Sequence, residues 1–196
     1  MNKTICVYSS SSSAVDEIYF QVAYELGRQI AVRGDNMLFG GGMVGLMGAT
    51  ARAVHENHGR VIGVIPKALN LKGIVYETCD QLIITEGMRE RKGEMDARSD
   101  AFIALPGGYG TLEELLEIIT LKQLKYHNKP IVILNTNNFF SNLLEQFLHI
   151  EEEKFAKPET KDLFFVTQEV EEALNYIDFY EPYKFGDKWF THTEEE

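Results

Sequence analysis

The segment Pro106–Glu114 brings three glycines, a threonine and two glutamates together within nine residues. Glycines permit unusual backbone angles and leave amides accessible, and the threonine adds a hydroxyl donor. If the segment joins a strand to a helix, the helix dipole also favours a negative charge there. The segment therefore predicts a phosphate cradle, with Glu114 as a candidate catalytic carboxylate.

The same residues also fit a purely structural role. Thr111 followed by Glu114 matches a capping box, with Thr111 at the N-cap and Glu114 at the third helical position. Because capping boxes are common, the residues alone leave a helix cap and a catalytic carboxylate as equal alternatives for Glu114.

A dense basic stretch, Arg89–Lys92, is the second candidate for chemistry. On a helix, Met88, Arg91, Lys92 and Met95 share one face by i, i+3, i+4, i+7 spacing, so two cations lie among methionines. Cations in that setting favour an anionic partner. The alternative is solvated side chains paired with acidic residues of the same helix, namely Glu90, Glu94 or Asp96.

A second glycine loop, Gly40–Gly48, contains one G-x-G-x-x-G pattern, which alone is a weak indicator of NAD binding. The loop follows the second predicted strand, and the third strand runs into Pro66 without an acidic residue for a ribose diol. We therefore expect close approach of a smaller ligand or tight helix packing. Gly41 and Gly42 are substrate-binding candidates on this basis.

The elements that must position these residues follow a βαβα rhythm, in which short β-branched runs alternate with amphipathic stretches. This predicts an α/β, Rossmann-like parallel sheet of about six or seven strands with helices on both faces. The predicted strands are Thr4–Tyr8, Asn36–Phe39, Arg60–Ile65, Gln81–Ile84, Ala101–Leu105, Ile131–Leu134 and Leu163–Val166. The predicted helices are Ala14–Arg33, Leu46–Asn57, Gly87–Arg98, Leu112–Tyr126, Phe139–Lys154 and Gln168–Tyr180. The buried face of the fourth helix is expected to carry Leu112, Leu115, Leu116 and Ile119.

The length of 196 residues and the hydrophobic content of 44% predict one compact domain, residues 1–180. A tail of residues 181–196 follows, and it contains four aromatic residues and three closing glutamates. This tail packs on the body or on a second subunit, or it frays.

The formal net charge of −11 would repel a nucleic-acid backbone, so polymeric nucleic acid is not an expected partner. Cys6 and Cys79 stand too far apart for a C-x-x-C site, and a disulfide framework is not indicated. The apolar run Ile5–Tyr8 is too short for a signal peptide, and no run has membrane-spanning length. A cytoplasmic protein without membrane contact is expected. His55 and His58 lack further ligands nearby, so no metal is expected.

Together the motifs resemble the LOG (lonely guy) family. Pro106–Glu114 matches its P-G-G-x-G-T-x-x-E motif, and the similarity runs from the first strand to Tyr126 through Gly40–Gly48, Val61–Pro66 and Met88–Met95. The resemblance implies a cytokinin riboside 5'-monophosphate phosphoribohydrolase, although many members carry the label lysine decarboxylase. It further implies release of the base from AMP or N6-substituted AMP, no cofactor, and at least a homodimer.

By motif position, the family's catalytic arginine falls on Arg91 and its catalytic glutamate on Glu114. Its nucleotide-contacting positions fall on Lys92, Gly108, Tyr109, Gly110, Thr111 and Thr120. Gly107 and Met88 complete the set of substrate-binding candidates.

The chain also departs from the family pattern. Ser9-Ser10 stands where the family commonly has Cys-Gly, and Gly73 stands where plant members have a substrate-binding glutamate. Recognition of the base is therefore looser, or it passes to Glu77. A non-catalytic nucleotide-binding protein of the same fold is the alternative function, because fold does not fix activity.

Overall fold

The computed structural model describes residues 2–182, and its strands form one seven-stranded sheet. The strands are β1 (Thr4–Tyr8), β2 (Asn36–Phe39), β3 (Arg60–Pro66), β4 (Gln81–Thr85), β5 (Ala101–Ala104), β6 (Ile131–Leu134) and β7 (Phe165–Thr167). They lie in the order β4-β3-β2-β1-β5-β6-β7, and every neighbouring pair is parallel. The expected parallel α/β sheet is confirmed.

Helices cover both faces of this sheet, as the sequence predicts. They are α1 (Glu17–Val32), α2 (Gly45–Glu56), α3 (Met88–Arg98), α4 (Tyr109–Gln123), α5 (Ser141–Glu152) and α6 (Val170–Asp178). One core layer packs α1, α2 and α6 against the sheet, and the other packs α3, α4 and α5. Within β1 the side chains alternate, so Ile5 and Val7 enter the first layer while Cys6 and Tyr8 enter the second.

The start of α4 differs from the prediction. The helix begins at Tyr109, three residues before the expected Leu112, and Gly108 is its N-cap without a side-chain capping bond. Thr111 therefore lies inside the first turn, and the capping-box interpretation of Thr111 and Glu114 is wrong. Glycine at the N-cap leaves the backbone free to enter the helix earlier than a Thr111 cap would allow.

The buried face of α4 also differs from the expected leucine face. Its buried residues are Thr111, Glu114, Leu115, Ile118 and Lys122. Leu116 is 42% exposed, because it lies about 100° around the helix from Leu115, which meets the sheet.

Other boundaries moved by a few residues. Strand β7 begins two residues after the expected Leu163, because a 3₁₀ turn occupies Pro158–Leu163. No helix within residues 2–182 has both the length and the apolar character needed to cross a bilayer. Apart from Glu181 and Pro182, the predicted tail 181–196 lies outside the described residues.

The sheet order creates a crevice between the carboxyl ends of β1 and β5. The chain leaves β1 towards β2 on one side and leaves β5 towards β6 on the other, which is the switch point where open α/β sheets bind ligands. The loops after these strands meet there, since the Ser10 amide donates to the Pro106 carbonyl at 3.3 Å. The Pro106–Glu114 segment therefore starts at this crevice.

Candidate active site

Arg91 and Glu114 form a buried ion pair at this end of the sheet. Arg91 Nη1 donates to Glu114 Oε1 at 2.7 Å, and the two side chains are only 9% and 11% exposed. Arg91 comes from α3 and Glu114 from α4, two helices on the same face of the sheet. The structure thus brings together the two residues that the resemblance names as catalytic.

Residues distant in sequence hold the Arg91 side chain. Its Nε donates to the Val64 carbonyl at 3.0 Å, at the carboxyl end of β3. A Cβ added to Gly40 would lie 2.0 Å from Arg91 Nη2, so the guanidinium occupies the space that a side chain at Gly40 would fill. Both contacts fix the direction in which Arg91 meets Glu114.

Burial dominates the electrostatics of Glu114. Desolvation raises the pKa of its carboxyl group above the ordinary range, and the nearby Arg91 guanidinium offsets only part of this rise. A carboxylate with a raised pKa binds a proton more readily, which suits a general base working near neutral pH. Perturbed carboxyl groups of this kind are typical of functional sites.

The layer beneath Glu114 is uncharged. Tyr8 is buried and stacks on Phe102, and burial raises its pKa well above the ordinary value. Burial likewise raises the pKa of the Cys6 thiol to about 12, so Cys6 is no thiolate nucleophile at neutral pH. Tyr8 and Cys6 are thus uncharged neighbours of Glu114 at neutral pH.

The first turn of α4 presents open backbone to the crevice. A Cβ added to Gly108 or Gly110 would meet nothing within 4 Å, so the protein's own packing does not require glycine at either position. Gly107 differs, since its added Cβ would lie 2.1 Å from Thr111 Oγ1. The first amides of a helix lack intrahelical acceptors, and they bind anions readily. Tyr109, at 93% exposure, stands beside them.

The other glycine loop is filled by the protein itself. The amides of Leu46 and Met47, at the start of α2, donate to the Ser10 carbonyl at 2.9 and 3.3 Å. Gly45 has a φ of +62°, and its added Cβ would lie 2.5 Å from the carbonyl carbon of Ser11. Because the amides at the start of α2 already donate to the Ser10 carbonyl, they are not available to bind a dinucleotide pyrophosphate. Tight packing explains the glycines.

Gly41 and Gly42 directly follow Gly40, and both contact the segment 67–80. The Gly41 carbonyl accepts a hydrogen bond from the Tyr76 amide at 2.8 Å, and Gly42 forms an isolated bridge with Val75. Both glycines are buried, and their role as substrate-binding residues stays a prediction.

Lys92 faces α4 and not the acidic residues of its own helix. Its Nζ pairs with Glu117 at 2.7 Å and also with Glu113. Met88, 47% exposed, stands at the first turn of α3. Lys92 therefore links the two helices that supply Arg91 and Glu114.

Thr120 is the candidate that lies apart. It is exposed, its hydroxyl donates to the Leu116 carbonyl at 2.7 Å, and it follows Thr111 by nine residues, roughly 13 Å along the helix. Within one chain it does not reach the first turn of α4.

The segment 67–80 contains the positions linked to base recognition. Gly73 has a φ of +86°, a conformation that disfavours a glutamate side chain at this position. Glu77 is exposed, and it follows Tyr76, whose hydroxyl contacts His55 in the last turn of α2. Glu77 is therefore the sequence neighbour of a tyrosine whose side chain contacts the C-terminal end of α2.

Sequence reasoning did not identify the contacts that Gly40 and Val64 make with Arg91. The Ser9 hydroxyl is buried and has no hydrogen-bond partner among residues 2–182. Only the departure at Ser9 marked this position in the sequence. The described residues hold no cluster of three or more His, Cys, Asp or Glu side chains that suits a metal.

The chain is similar in sequence to known proteins. Residues 47–177 match the family model described as possible lysine decarboxylase. The chain is 41% identical over 184 residues to cytokinin riboside 5'-monophosphate phosphoribohydrolase LOG5 of Arabidopsis thaliana, covering 94% of this chain and 81% of that protein. It is also 41% identical over 180 residues to the probable phosphoribohydrolase LOGL2 of Oryza sativa subsp. japonica, covering 92% and 74%.

A solved structure shares the fold. The molybdenum cofactor binding protein from Rippkaea orientalis superimposes with a TM-score of 0.70 and 24% identity, covering 91% of this chain and 96% of that one. At this identity the likeness concerns the fold alone. The sequence relatives are closer and span nearly the whole chain, and by them the chain belongs to the LOG family of phosphoribohydrolases.

Proposed function

We propose that the protein hydrolyses the N-glycosidic bond of adenosine 5'-monophosphate or its N6-substituted forms, giving the free base and ribose 5-phosphate. The observation that carries this proposal is the buried Arg91–Glu114 pair beside the open first turn of α4. Both relatives described above are named for this activity on cytokinin riboside 5'-monophosphates.

Glu114 supplies the chemistry in this proposal. Cleavage of the bond develops positive charge on the ribose, which a nearby carboxylate stabilises. Arg91 holds Glu114 Oε1 and leaves the second oxygen for a water molecule. That water attacks the anomeric carbon and gives a proton to the carboxylate, while the bond electrons leave with the base, which takes up a proton from solvent. Glu114 then returns its proton to solvent. Arg91 positions the carboxylate throughout.

The first turn of α4 binds the 5'-phosphate. The amides from Gly108 to Thr111 point out of the helix start, and the dipole contributes on the order of 1 kcal/mol. The protein's own packing leaves room for a side chain at Gly108 and Gly110, yet both are glycine. The absence of a side chain lets the phosphate approach the backbone. Lys92 lies nearby on α3, where its ammonium group pairs with Glu113 and Glu117.

A non-catalytic binding module does not account for the pair as well. Burying two charges costs several kcal/mol in desolvation, which their attraction only partly returns. A binding site for a phosphate gains nothing from a buried carboxylate, since like charges repel. A hydrolytic site gains a base and an electrostatic stabiliser.

The functional unit in this proposal is a homodimer. Tyr109, Leu116, Thr120 and Leu124 lie on one outward face of α4 by their spacing, and we name this set the outer stripe. Leu116 is 42% exposed and Leu124 41%. A second copy packed on the outer stripe covers these leucines and places Thr120 at the subunit boundary, next to the partner's site.

We also place the protein in the cytoplasm. Cys6 and Cys79 are free thiols, which a reducing compartment preserves.

One assay tests the proposed reaction. Purified protein is incubated with AMP, N6-isopentenyl-AMP and adenosine, and free base and ribose 5-phosphate are separated by chromatography. The account expects both products in equal amounts from a monophosphate, and far less base from adenosine, because the phosphate positions the reacting bond. Binding of AMP without release of base would support the binding-module alternative instead.

A further inference from the structure

A large apolar groove lies at the β7 edge of the sheet. It has a volume of about 800 Å³, and α5, β7 and α6 form its walls. Aromatic and aliphatic side chains dominate the lining, among them Phe147, Leu148, Phe165 and Phe179. Leu148 is 57% exposed and Phe179 82%. Concentrated exposed apolar surface of this kind marks an interaction site.

The groove is separate from the candidate active site. Strand β7 ends the sheet, two strands beyond β5, and its outer edge offers backbone groups that proteins normally cover. The groove therefore needs an occupant of its own, independent of the reaction proposed at the active site.

The described chain runs directly into this groove. Tyr180 and Glu181 both line it. Tyr180 is anchored there, because its hydroxyl donates to Asn128 at 2.9 Å and Lys122 Nζ lies 4.7 Å above its ring. The chain that follows Pro182 thus starts at the groove, so tethering gives it a high effective concentration there.

The next residues have the composition that the groove fits. Residues 183–190 contain Tyr183, Phe185, Trp189 and Phe190. Tyr183 and Phe185 are two apart, so an extended chain presents both rings to one side. Residues 183–196 can reach about 46 Å when extended, at roughly 3.3 Å per residue, which exceeds the width of a groove between two neighbouring helices.

Charge also matches. The rim carries three acidic residues and one basic residue, namely Glu151, Asp162, Glu181 and Lys161. Between residues 183 and 190 the chain has Lys184, Asp187 and Lys188, a net charge of +1. The positive segment therefore suits the acidic rim.

From these observations we propose that residues 183–190 of the same chain fold back into the groove at the β7 edge and cover its apolar walls with their aromatic rings. The occupant is this chain's own segment, held in place by its short connection to α6.

Trp189 makes the proposal directly testable, because it is the single tryptophan of the chain. In the unmodified 196-residue chain, the Trp189 fluorescence emission is expected to be blue-shifted and less quenched by iodide than that of N-acetyltryptophanamide, at every protein concentration tested. Leu148→Asp is expected to shift the emission to the red and restore quenching. The matched control is Leu71→Asp, which changes a 53% exposed leucine beyond β3, at the opposite side of the sheet, and is expected to leave emission unchanged.

A second groove variant, Phe179→Ser, keeps the test valid if Leu148→Asp does not fold. The Phe179 side chain is already 82% exposed, so its replacement is expected to leave the fold intact. Circular dichroism verifies that each variant is folded. Emission like that of the free indole in the unmodified chain would overturn the proposal, as would equal effects of Leu148→Asp and Leu71→Asp. A blue shift that disappears on dilution would also overturn it, since the occupant would then be a second copy.

Discussion

At the scale of single residues, the orientation of Arg91 depends on two positions that carry no charge. The Val64 carbonyl accepts from Nε, and Gly40 leaves the space that the guanidinium fills. A buried ion pair without such supports gains little, because desolvation consumes most of the attraction. The proposed catalytic geometry therefore depends partly on the absence of a side chain at Gly40.

The substitution Gly40→Ala tests this dependence. The new Cβ would meet Arg91 Nη2 at 2.0 Å, and the end of a flexible side chain can move away at low cost to the fold. We expect the rate of base release to fall by at least tenfold while the thermal midpoint changes by only a few degrees, the size of shift produced by about 1 kcal/mol. Kinetics and thermal denaturation measure the two effects. An unchanged kcat would show that Gly40 does not position Arg91.

A second prediction concerns the pH dependence of activity. If ionised Glu114 is the active form, kcat falls as the pH drops through its pKa, which burial places above the ordinary carboxyl range. Arg91 lowers this pKa, so a weaker partner lets it rise. In Arg91→Lys, whose ammonium cannot reproduce both guanidinium contacts, the acid limb is expected to move to higher pH.

The pH–rate profile of Arg98→Lys provides the control. Arg98 lies on the same helix but pairs with Glu94 at the surface, so its acid limb should match that of the unmodified protein. An acid limb that stays in place in Arg91→Lys would assign the limb to another group.

At the scale of elements, the order and type of the strands and helices follow from hydrophobic patterning, because buried parallel strands are short continuous apolar runs. The boundaries follow less well. The start of α4 was misplaced because Thr111 is an adequate N-cap in isolation, and only the backbone of Gly108 in the folded chain sets the earlier start.

In the candidate site, too, the sequence identifies some features and leaves others undetermined. Arg91, Glu114 and the glycines of α4 occur in contiguous motifs, so the sequence points to them directly. The contacts of Gly40 with Arg91 and of Lys92 with Glu117 join separate elements, and no local spacing encodes them. The buried side of α4 likewise depends on which face meets the sheet.

The first turn of α4 gives a prediction at this scale. Gly110→Ala replaces glycine in a helix where the added Cβ meets nothing, so the free energy of unfolding should rise by up to about 1 kcal/mol. The methyl group nevertheless crowds the proposed phosphate position, and KM for AMP should increase. Steady-state kinetics and denaturant unfolding report these opposite effects.

Gly93→Ala in α3 is the matched variant, because its added Cβ also meets nothing within 4 Å. It should stabilise the protein similarly and leave KM unchanged. If both variants bind AMP like the unmodified protein, the phosphate does not lie at the first turn of α4.

At the scale of the whole molecule, the exposed leucines of the outer stripe of α4 favour the proposed dimer. Leu116→Asp should separate the proposed dimer, since a buried unpaired carboxylate at an interface is costly. Light scattering should then give a mass near the 22.3 kDa of one chain in place of about twice that value. Activity should fall with the mass.

Val32→Asp serves as the comparison, because Val32 is 66% exposed on α1, on the other face of the sheet. It is expected to remain dimeric and active. A fully active monomer at assay concentration would contradict a shared site, and Thr120 would then have no role in substrate binding.

The rate of base release from AMP in Glu114→Gln shows whether Glu114 is the catalytic base. Glutamine keeps an acceptor for Arg91 but cannot take a proton from water, so we expect the rate to fall by roughly 10²- to 10⁴-fold with the fold intact. Glu113→Gln, which changes the neighbouring carboxylate that pairs with Lys92, should stay near the unmodified rate. Unmodified turnover in Glu114→Gln would contradict the account.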